Sequence, residues 1–136
     1  MATYVLDASA LIRFLDNEPG AARVREVLKA CVLGQAAVSI SAIQWGEVVG
    51  NLRKRQGAAE QQRIVSHLLP SEVRIESVNG DAAQRAAELK VDHGLSYADA
   101  FALELAQRLP EATLLTADYG FKAVALLARI EFLPTK

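Results

Sequence analysis

Four acidic residues carry the chemistry open to this sequence: Asp7, Glu47, Asp99 and Asp118. Asp7 follows the short apolar run Thr3 to Leu6, and Asp118 follows a second such run, Ala112 to Thr116. Glu47 and Asp99 fall in the first two turns of helical segments. Carboxylates brought together repel, and two unit charges about 4 Å apart cost roughly 4 kcal/mol at an effective dielectric of 20. A hard divalent cation removes that cost. Mg2+ or Mn2+ takes oxygen ligands in octahedral geometry and keeps several waters. Such a site suits hydrolysis of a phosphodiester bond, because the metal activates water and stabilises the leaving oxygen. A carboxylate left free of the metal can orient or deprotonate that water. We therefore expect all four acids in the catalytic site, with Asp7, Asp99 and Asp118 on the metal and Glu47 in an outer, water-orienting role.

Each acid also has an ordinary reading. Asp7 suits the cap of a helix opening at Ser9. Asp118 suits a turn before Tyr119 and Gly120. Glu47 shares a face with Asn51 and Lys54, opposite Trp45, Val49 and Leu52, as a solvated glutamate would. Asp99 is the hardest to explain so. Its face carries Ala102, Leu103 and Ala106, while Glu104 and Arg108, an i,i+4 pair, mark the expected solvent face. A capping box of Ser96 with Asp99 is the alternative. A half-buried carboxylate otherwise needs a cation or a donor. Ser9 and Thr116, each two residues from an acid, suit hydrogen bonds to it, or else helix capping and strand-end bonding.

The elements that must position these residues alternate along the chain. Strands are expected at Thr3 to Leu6, Ala37 to Ile40, Val73 to Val78, Ala112 to Thr116 and Arg129 to Leu133. Helices are expected at Ser9 to Leu15, Ala21 to Leu33, Ser41 to Arg55, Ala58 to Leu69, Asp81 to His93 and Tyr97 to Leu109. A short helix is expected around Phe121 to Leu126. Asn17 to Gly20 is a turn, Gly57 and Pro70 end helices, Gly94 separates two, and Ser41 with Gln44 forms a plausible capping box. Alternating strands and helices imply an α/β fold with a central parallel sheet of about five strands, covered by helices on both faces. The strands are apolar rather than alternating, as both-face burial requires. In such sheets ligands bind beyond the carboxyl ends of the strands. Helices running back against the strands start at that same edge, so all four acids map to it.

Composition narrows the class. A chain of 136 residues with 51% hydrophobic and 23% charged residues is expected to be one globular domain over residues 1–136, not a disordered chain. No apolar run is long enough to span a bilayer, and Met1 to Phe14 lacks the pattern of a signal peptide. The single cysteine, Cys31, excludes an intrachain disulfide and a cysteine-based zinc site, and it reads as a packed core thiol. A cytoplasmic location is the resulting expectation. His67 and His93 are isolated. The net charge of −1 argues against a broad basic binding face. Arg53, Lys54 and Arg55, with Arg13, suit either phosphate contacts or a solvated helix end. Gly46 and Gly50, one turn apart, suit a close approach of another segment, with packing inside the chain as the expected reason.

Four stretches carry a family resemblance: Tyr4-Val5-Leu6-Asp7-Ala8-Ser9-Ala10-Leu11, Ser41-Ala42-Ile43-Gln44-Trp45-Gly46-Glu47-Val48, Leu95-Ser96-Tyr97-Ala98-Asp99-Ala100 and Leu115-Thr116-Ala117-Asp118-Tyr119-Gly120-Phe121. In order, spacing and total length they resemble PIN-domain proteins, and among them the VapC-type toxins of toxin–antitoxin pairs. The resemblance implies a PIN-like three-layer sandwich and Mg2+- or Mn2+-dependent endoribonuclease activity on RNA. It carries the acidic role to Asp7, Glu47, Asp99 and Asp118, with Asp7 and Asp99 foremost as metal ligands. It also implies a homodimer, inhibition by a small cognate VapB-like antitoxin, and a heterotetramer or larger assembly with it. The apolar surfaces of Ala21 to Leu33 and Ala58 to Leu69 suit the dimer or the antitoxin. Many relatives carry Ser or Thr after the first acid; here Ala8 is followed by Ser9, which leaves open which hydroxyl supports Asp7.

Two rivals belong to other classes. One is a different metal-dependent phosphohydrolase; a haloacid-dehalogenase-like enzyme would need a second Asp where Ser9 stands, and flap-type or NYN-type nucleases lack this motif set at this length. The other is a PIN-fold module that binds RNA or protein without catalysis, against which the presence of all four acids argues.

Overall fold

The computed structural model describes residues 1–68 and 71–135. Five strands, β1 (Ala2–Leu6), β2 (Ala36–Ser41), β3 (Arg74–Glu76), β4 (Ala112–Thr116) and β5 (Arg129–Phe132), form one sheet in the order β3-β2-β1-β4-β5. Every pairing is parallel. The helices are α1 (Ala8–Leu15), α2 (Ala21–Val32), α3 (Ala42–Gln56), α4 (Ala58–Leu68), α5 (Gly80–His93) and α6 (Tyr97–Arg108). The expected α/β architecture of helices, parallel sheet and helices is the one observed.

Strand side chains alternate between two cores, which explains the unbroken apolar runs. Leu6 and Leu115 join a core with Leu11 of α1, Val24 and Val27 of α2 and Val48 and Leu52 of α3. Their strand neighbours Val5 and Leu114 face a second core with Leu103 and Leu105 of α6 and Phe121. Cys31 is buried in the first core, as expected. Gly20 precedes α2 at φ +97, and a Cβ there would meet Leu133 Cβ at 2.9 Å, so this turn admits glycine alone without rearrangement.

Three expectations on the elements change. The third strand shrinks from Val73–Val78 to Arg74–Glu76, because an edge strand is held from one side only and β2 pairs with it over three residues. The short helix after β4 is a 3-10 helix, Tyr119–Val124, the tighter winding favoured in short connectors. Glu104 does not face solvent. It is 2% exposed and receives hydrogen bonds from Arg85 of α5 and Arg108 of its own helix. Packing of α5 against α6 covers it, and Ala100 to Ala106 are all buried. The expected helix end at Leu69 and Pro70 lies outside the described residues.

The topology creates one crevice. From central β1 the chain moves outward through β2 to β3, then crosses back to β4 and β5 on the other side of β1. The connections after β1 and β4 therefore diverge at their carboxyl ends, the place where open α/β sheets bind ligands.

Candidate active site

Asp7 occupies that crevice from the β1 side. It is the N-cap of α1, and its Oδ1 accepts the Ala10 N–H at 2.9 Å. Oδ1 also accepts from the Ser9 hydroxyl at 2.7 Å, and Oδ2 accepts from the Thr116 hydroxyl at 2.5 Å. Capping and site membership are thus one arrangement, not alternatives. Both candidate hydroxyls support Asp7, which answers the question left by Ala8. Each hydroxyl has one proton, and both protons point at Asp7. Three of about four lone-pair positions are then filled, leaving one on Oδ2 for a further partner. Burial lifts the Asp7 carboxyl from its ordinary 3.8 to about 6. The hydrogen bonds from Thr116, Ser9 and Ala10 restrain that rise, and the nearby Asp99 charge adds to it.

Asp118 approaches from β4. Its N–H donates to the Thr116 hydroxyl at 2.9 Å, and its Oδ1 accepts the Gly120 N–H at 2.8 Å, capping the 3-10 helix. Asp99 stands in the first turn of α6, half-buried, with its N–H on the Ser96 hydroxyl at 3.1 Å. Its carboxyl is raised above the ordinary aspartate value, first by desolvation, then by the charges of Asp118 and Glu47, while hydrogen bonding with Ser96 and Gln44 opposes the rise. Glu47 is exposed on α3 at the rim. Asp99 thus feels the charges of Asp118 and Glu47, and Asp7 feels that of Asp99, so all four acids share one groove.

The residue missed from sequence is Gln44. Instead of closing a capping box, Ser41 accepts the Ile43 N–H alone, at 3.3 Å. Gln44 turns inward, 2% exposed. Its Oε1 accepts the Ala8 N–H at 2.6 Å and its Nε2 donates to the Ala98 carbonyl at 2.5 Å. One side chain ties the start of α1, beside Asp7, to the start of α6, beside Asp99. The signal for it was a lone amide on the α3 stripe of Gln44, Val48 and Leu52, all buried.

Among the described residues, no Lys, Arg or His lines the groove. Of the basic residues singled out in the sequence, three are engaged elsewhere: Arg55 pairs with Asp16 at 3.0 Å, Arg53 donates to Gln61, and Arg13 to the Pro19 carbonyl; Lys54 lines a shallow groove next to Glu47. Among the described residues, no three acidic or histidine side chains already stand as a closed metal cage. The donor set is carboxylate oxygen with adjacent hydroxyls. That fits a hard divalent ion held by one or two carboxylates and retaining water, as Mg2+ is usually bound. A separate, mostly apolar cavity of about 220 Å³ is walled by Leu11, Phe14, Leu28 and Trp45 among others, with Glu72 its single lining carboxylate among the described residues.

A doubly covered parallel sheet with acids gathered at its switch point defines an α/β protein with an acidic groove where such folds bind ligands. The chain belongs to the PIN domain family, whose model matches residues 4–127. No curated protein matches it in sequence. Among solved structures it is similar to VapBC2 from Rickettsia felis bound to a promoter DNA fragment, at 17% identity and TM-score 0.77, covering 97% of this chain and 99% of that one. It is similar to DNA-bound VapBC from Salmonella typhimurium at 17% identity and TM-score 0.75, covering 97% and 98%. It is also similar to VapC20 of Mycobacterium tuberculosis, a toxin that cleaves the sarcin-ricin loop, at 22% identity and TM-score 0.67, covering 96% and 99%. At these identities the likeness concerns the fold.

Proposed function

We propose that this chain, one domain over residues 1–136, is a VapC-type toxin: a divalent-metal-dependent endoribonuclease restrained by a cognate antitoxin. The observation that carries the reading is the groove of four carboxylates at the switch point, with no basic residue among the described residues that line it. The family is the PIN domain, and fold neighbours include both a loop-cleaving toxin and toxin–antitoxin complexes.

Asp7, Asp99 and Asp118 would hold the ion, Mg2+ or Mn2+. When bound, it supplies Lewis-acid polarisation of the phosphate and acidification of water. Asp7 is the anchor, because three hydrogen bonds fix both its oxygens. Asp99 is half-buried and feels the charges of Asp118 and Glu47, a repulsion that a bound cation would relieve. Glu47, exposed at the rim, orients water from outside. Thr116 and Ser9 hold Asp7, and Gln44 holds the two helix starts in register.

The antitoxin reading draws support from exposed apolar residues at the end of α2, Val32 at 69% and Leu33 at 61%, beside the apolar cavity. A homodimer, a larger assembly with antitoxin and a cytoplasmic site of action complete the proposal. No helix among the described residues is long and apolar enough to cross a membrane.

The test is incubation of the purified chain with labelled RNA, single- and double-stranded DNA and phosphate monoesters, with Mg2+ or with EDTA. Metal-dependent RNA cleavage lost in Asp7→Asn and Asp99→Asn is the expected result. Cleavage of monoesters alone sinks it in favour of another phosphohydrolase. RNA binding without cleavage, with growth arrest unchanged by Asp7→Asn, sinks it in favour of a binding module.

A further inference from the structure

The chain has one Trp, three Tyr and four Phe, and of these only Tyr97 and Tyr119 are exposed, at 44% and 37%. Both stand beside the acid groove. Tyr97 lines it, two residues before Asp99. Tyr119 directly follows Asp118, which lines it from the other side. Apolar aromatic surface is ordinarily buried, so its confinement to the two flanks of one groove calls for a ligand with flat faces.

Both rings are held in place. Tyr97 packs at 4.7 Å between centroids against buried Phe101, at 56°. Its hydroxyl reaches the Ala83 carbonyl on α5 at 3.5 Å. Tyr119 stacks on Phe132 at 5.2 Å and 23°, and its hydroxyl donates to the Leu133 carbonyl at 2.7 Å. Lys122 Nζ lies 4.9 Å from the Tyr119 ring centroid, a cation beside an aromatic face. A ring already fixed loses little freedom when a second ring stacks on it.

We infer that Tyr97 and Tyr119 are stacking platforms for two nucleobases, one on each side of the phosphate held at the acids, with Lys122 placed for a neighbouring phosphate. The inference rests on the ribonuclease reading and adds to it the residues that contact bases. Aromatic faces accept unstacked bases of any identity. The platforms therefore set where the RNA strand lies more than which sequence it has.

The test compares the full chain with Tyr97→Ala, Tyr97→Leu, Tyr97→Phe and the same three variants at Tyr119. Binding of a fluorescein-labelled random-sequence RNA pool is read by anisotropy, and cleavage of the pool is followed with Mg2+. A ribose-phosphate chain lacking bases serves as the control ligand. Each Ala or Leu variant is expected to weaken RNA binding about 5- to 150-fold, the equivalent of ~1–3 kcal/mol per stacked base. The loss enters KM rather than kcat, Phe variants, which keep the ring and lose only the hydroxyl bond, lose clearly less than the Ala and Leu variants, and binding of the baseless chain is unchanged. Equal binding by the Ala variants, an equal loss in the Phe variants, an equal loss on the baseless chain, or a change of oligomeric state in ultracentrifugation each overturns the inference. If wild type cleaves RNA and the Ala variants match it, this inference falls alone; if wild type neither binds nor cleaves RNA, the ribonuclease reading falls with it.

Discussion

Thr116, the last residue of β4, donates its hydroxyl to Oδ2 of Asp7 at 2.5 Å across the switch point of the sheet. The Thr116 hydroxyl oxygen in turn accepts the Asp118 N–H at 2.9 Å. One buried hydroxyl therefore places two of the four acids relative to each other. Thr116→Val keeps the shape and removes both bonds. It should destabilise the fold by about 1–3 kcal/mol, the penalty for stranding buried polar groups. It should also raise the Asp7 pKa further, since Thr116 is the strongest of the groups holding it down. An NMR titration of Asp7 unchanged by the substitution would contradict this.

The raised Asp7 pKa makes stability depend on pH in an unusual direction. Below pH 3.8 Asp7 is protonated in both folded and unfolded chains. Between 3.8 and about 6 the folded chain keeps the proton and the unfolded one loses it, so stability falls as pH rises. Above about 6 both are ionised and the full penalty, roughly 3 kcal/mol, is in place. Thermal melts of the metal-free protein should show Asp7→Asn more stable than wild type at pH 8 and equal to it near pH 3.5. Added Mg2+ should raise the wild-type Tm at pH 8 and not at pH 3.5. A Tm indifferent to Mg2+ at pH 8 would remove the metal role from this site.

Gln44 acts on the site through two helix starts, so its variants should separate folding from metal binding. Gln44→Leu fills the space but strands the Ala8 N–H and the Ala98 carbonyl, a loss of about 1–3 kcal/mol. Gln44→Glu keeps an acceptor for Ala8 but adds a negative charge beside Asp99. In variants shown folded by circular dichroism, half-maximal cleavage should need more Mg2+ in Gln44→Leu and less accurate placement should lower kcat. An unchanged Mg2+ titration in a folded variant would reduce Gln44 to a core residue.

The sheet and the positions of Asp7 and Asp118 were legible because strand ends are local features: an apolar run stops and an acid follows. Asp99 was singled out on a face argument that was half right, since its neighbours are buried but Glu104 is buried too. Sequence spacing shows Glu104 and Arg108 as a surface pair; only α5, which brings Arg85 from 19 positions away, turns that surface into interior. Gln44 was illegible for the same reason. An i,i+3 spacing from Ser41 cannot distinguish an amide folded back on its own helix from one bridging two others. Long-range polar contacts leave no periodicity to read.

Glu104 itself supplies an asymmetric prediction. Arg85 and Arg108 are 49% and 33% exposed in their side chains, so either can turn to water if Glu104 is lost. Glu104 has no such exit. Glu104→Leu should therefore be tolerated within about 1 kcal/mol, whereas Arg85→Ala with Arg108→Ala leaves a buried charge unpaired and should cost about 3–5 kcal/mol. Urea unfolding of the three proteins measures this; equal losses would mean the carboxylate is solvated in the folded state.

Gly46 and Gly50 offer the last test, and here the expectation of packing inside the chain is overturned. A Cβ added at either position meets nothing within 4 Å, and both residues line an open groove with Glu47, Asn51 and Lys54. Neither glycine is needed for packing among the described residues, and each weakens α3 by roughly 1 kcal/mol relative to alanine. Gly46→Ala and Gly50→Ala should each raise the unfolding free energy by up to about that amount, and the two increments should add. A drop in stability would mean that this face of α3 is covered in solution by another segment close enough to exclude a methyl group, and the same measurement repeated over a range of protein concentrations would then show whether that segment belongs to a second copy.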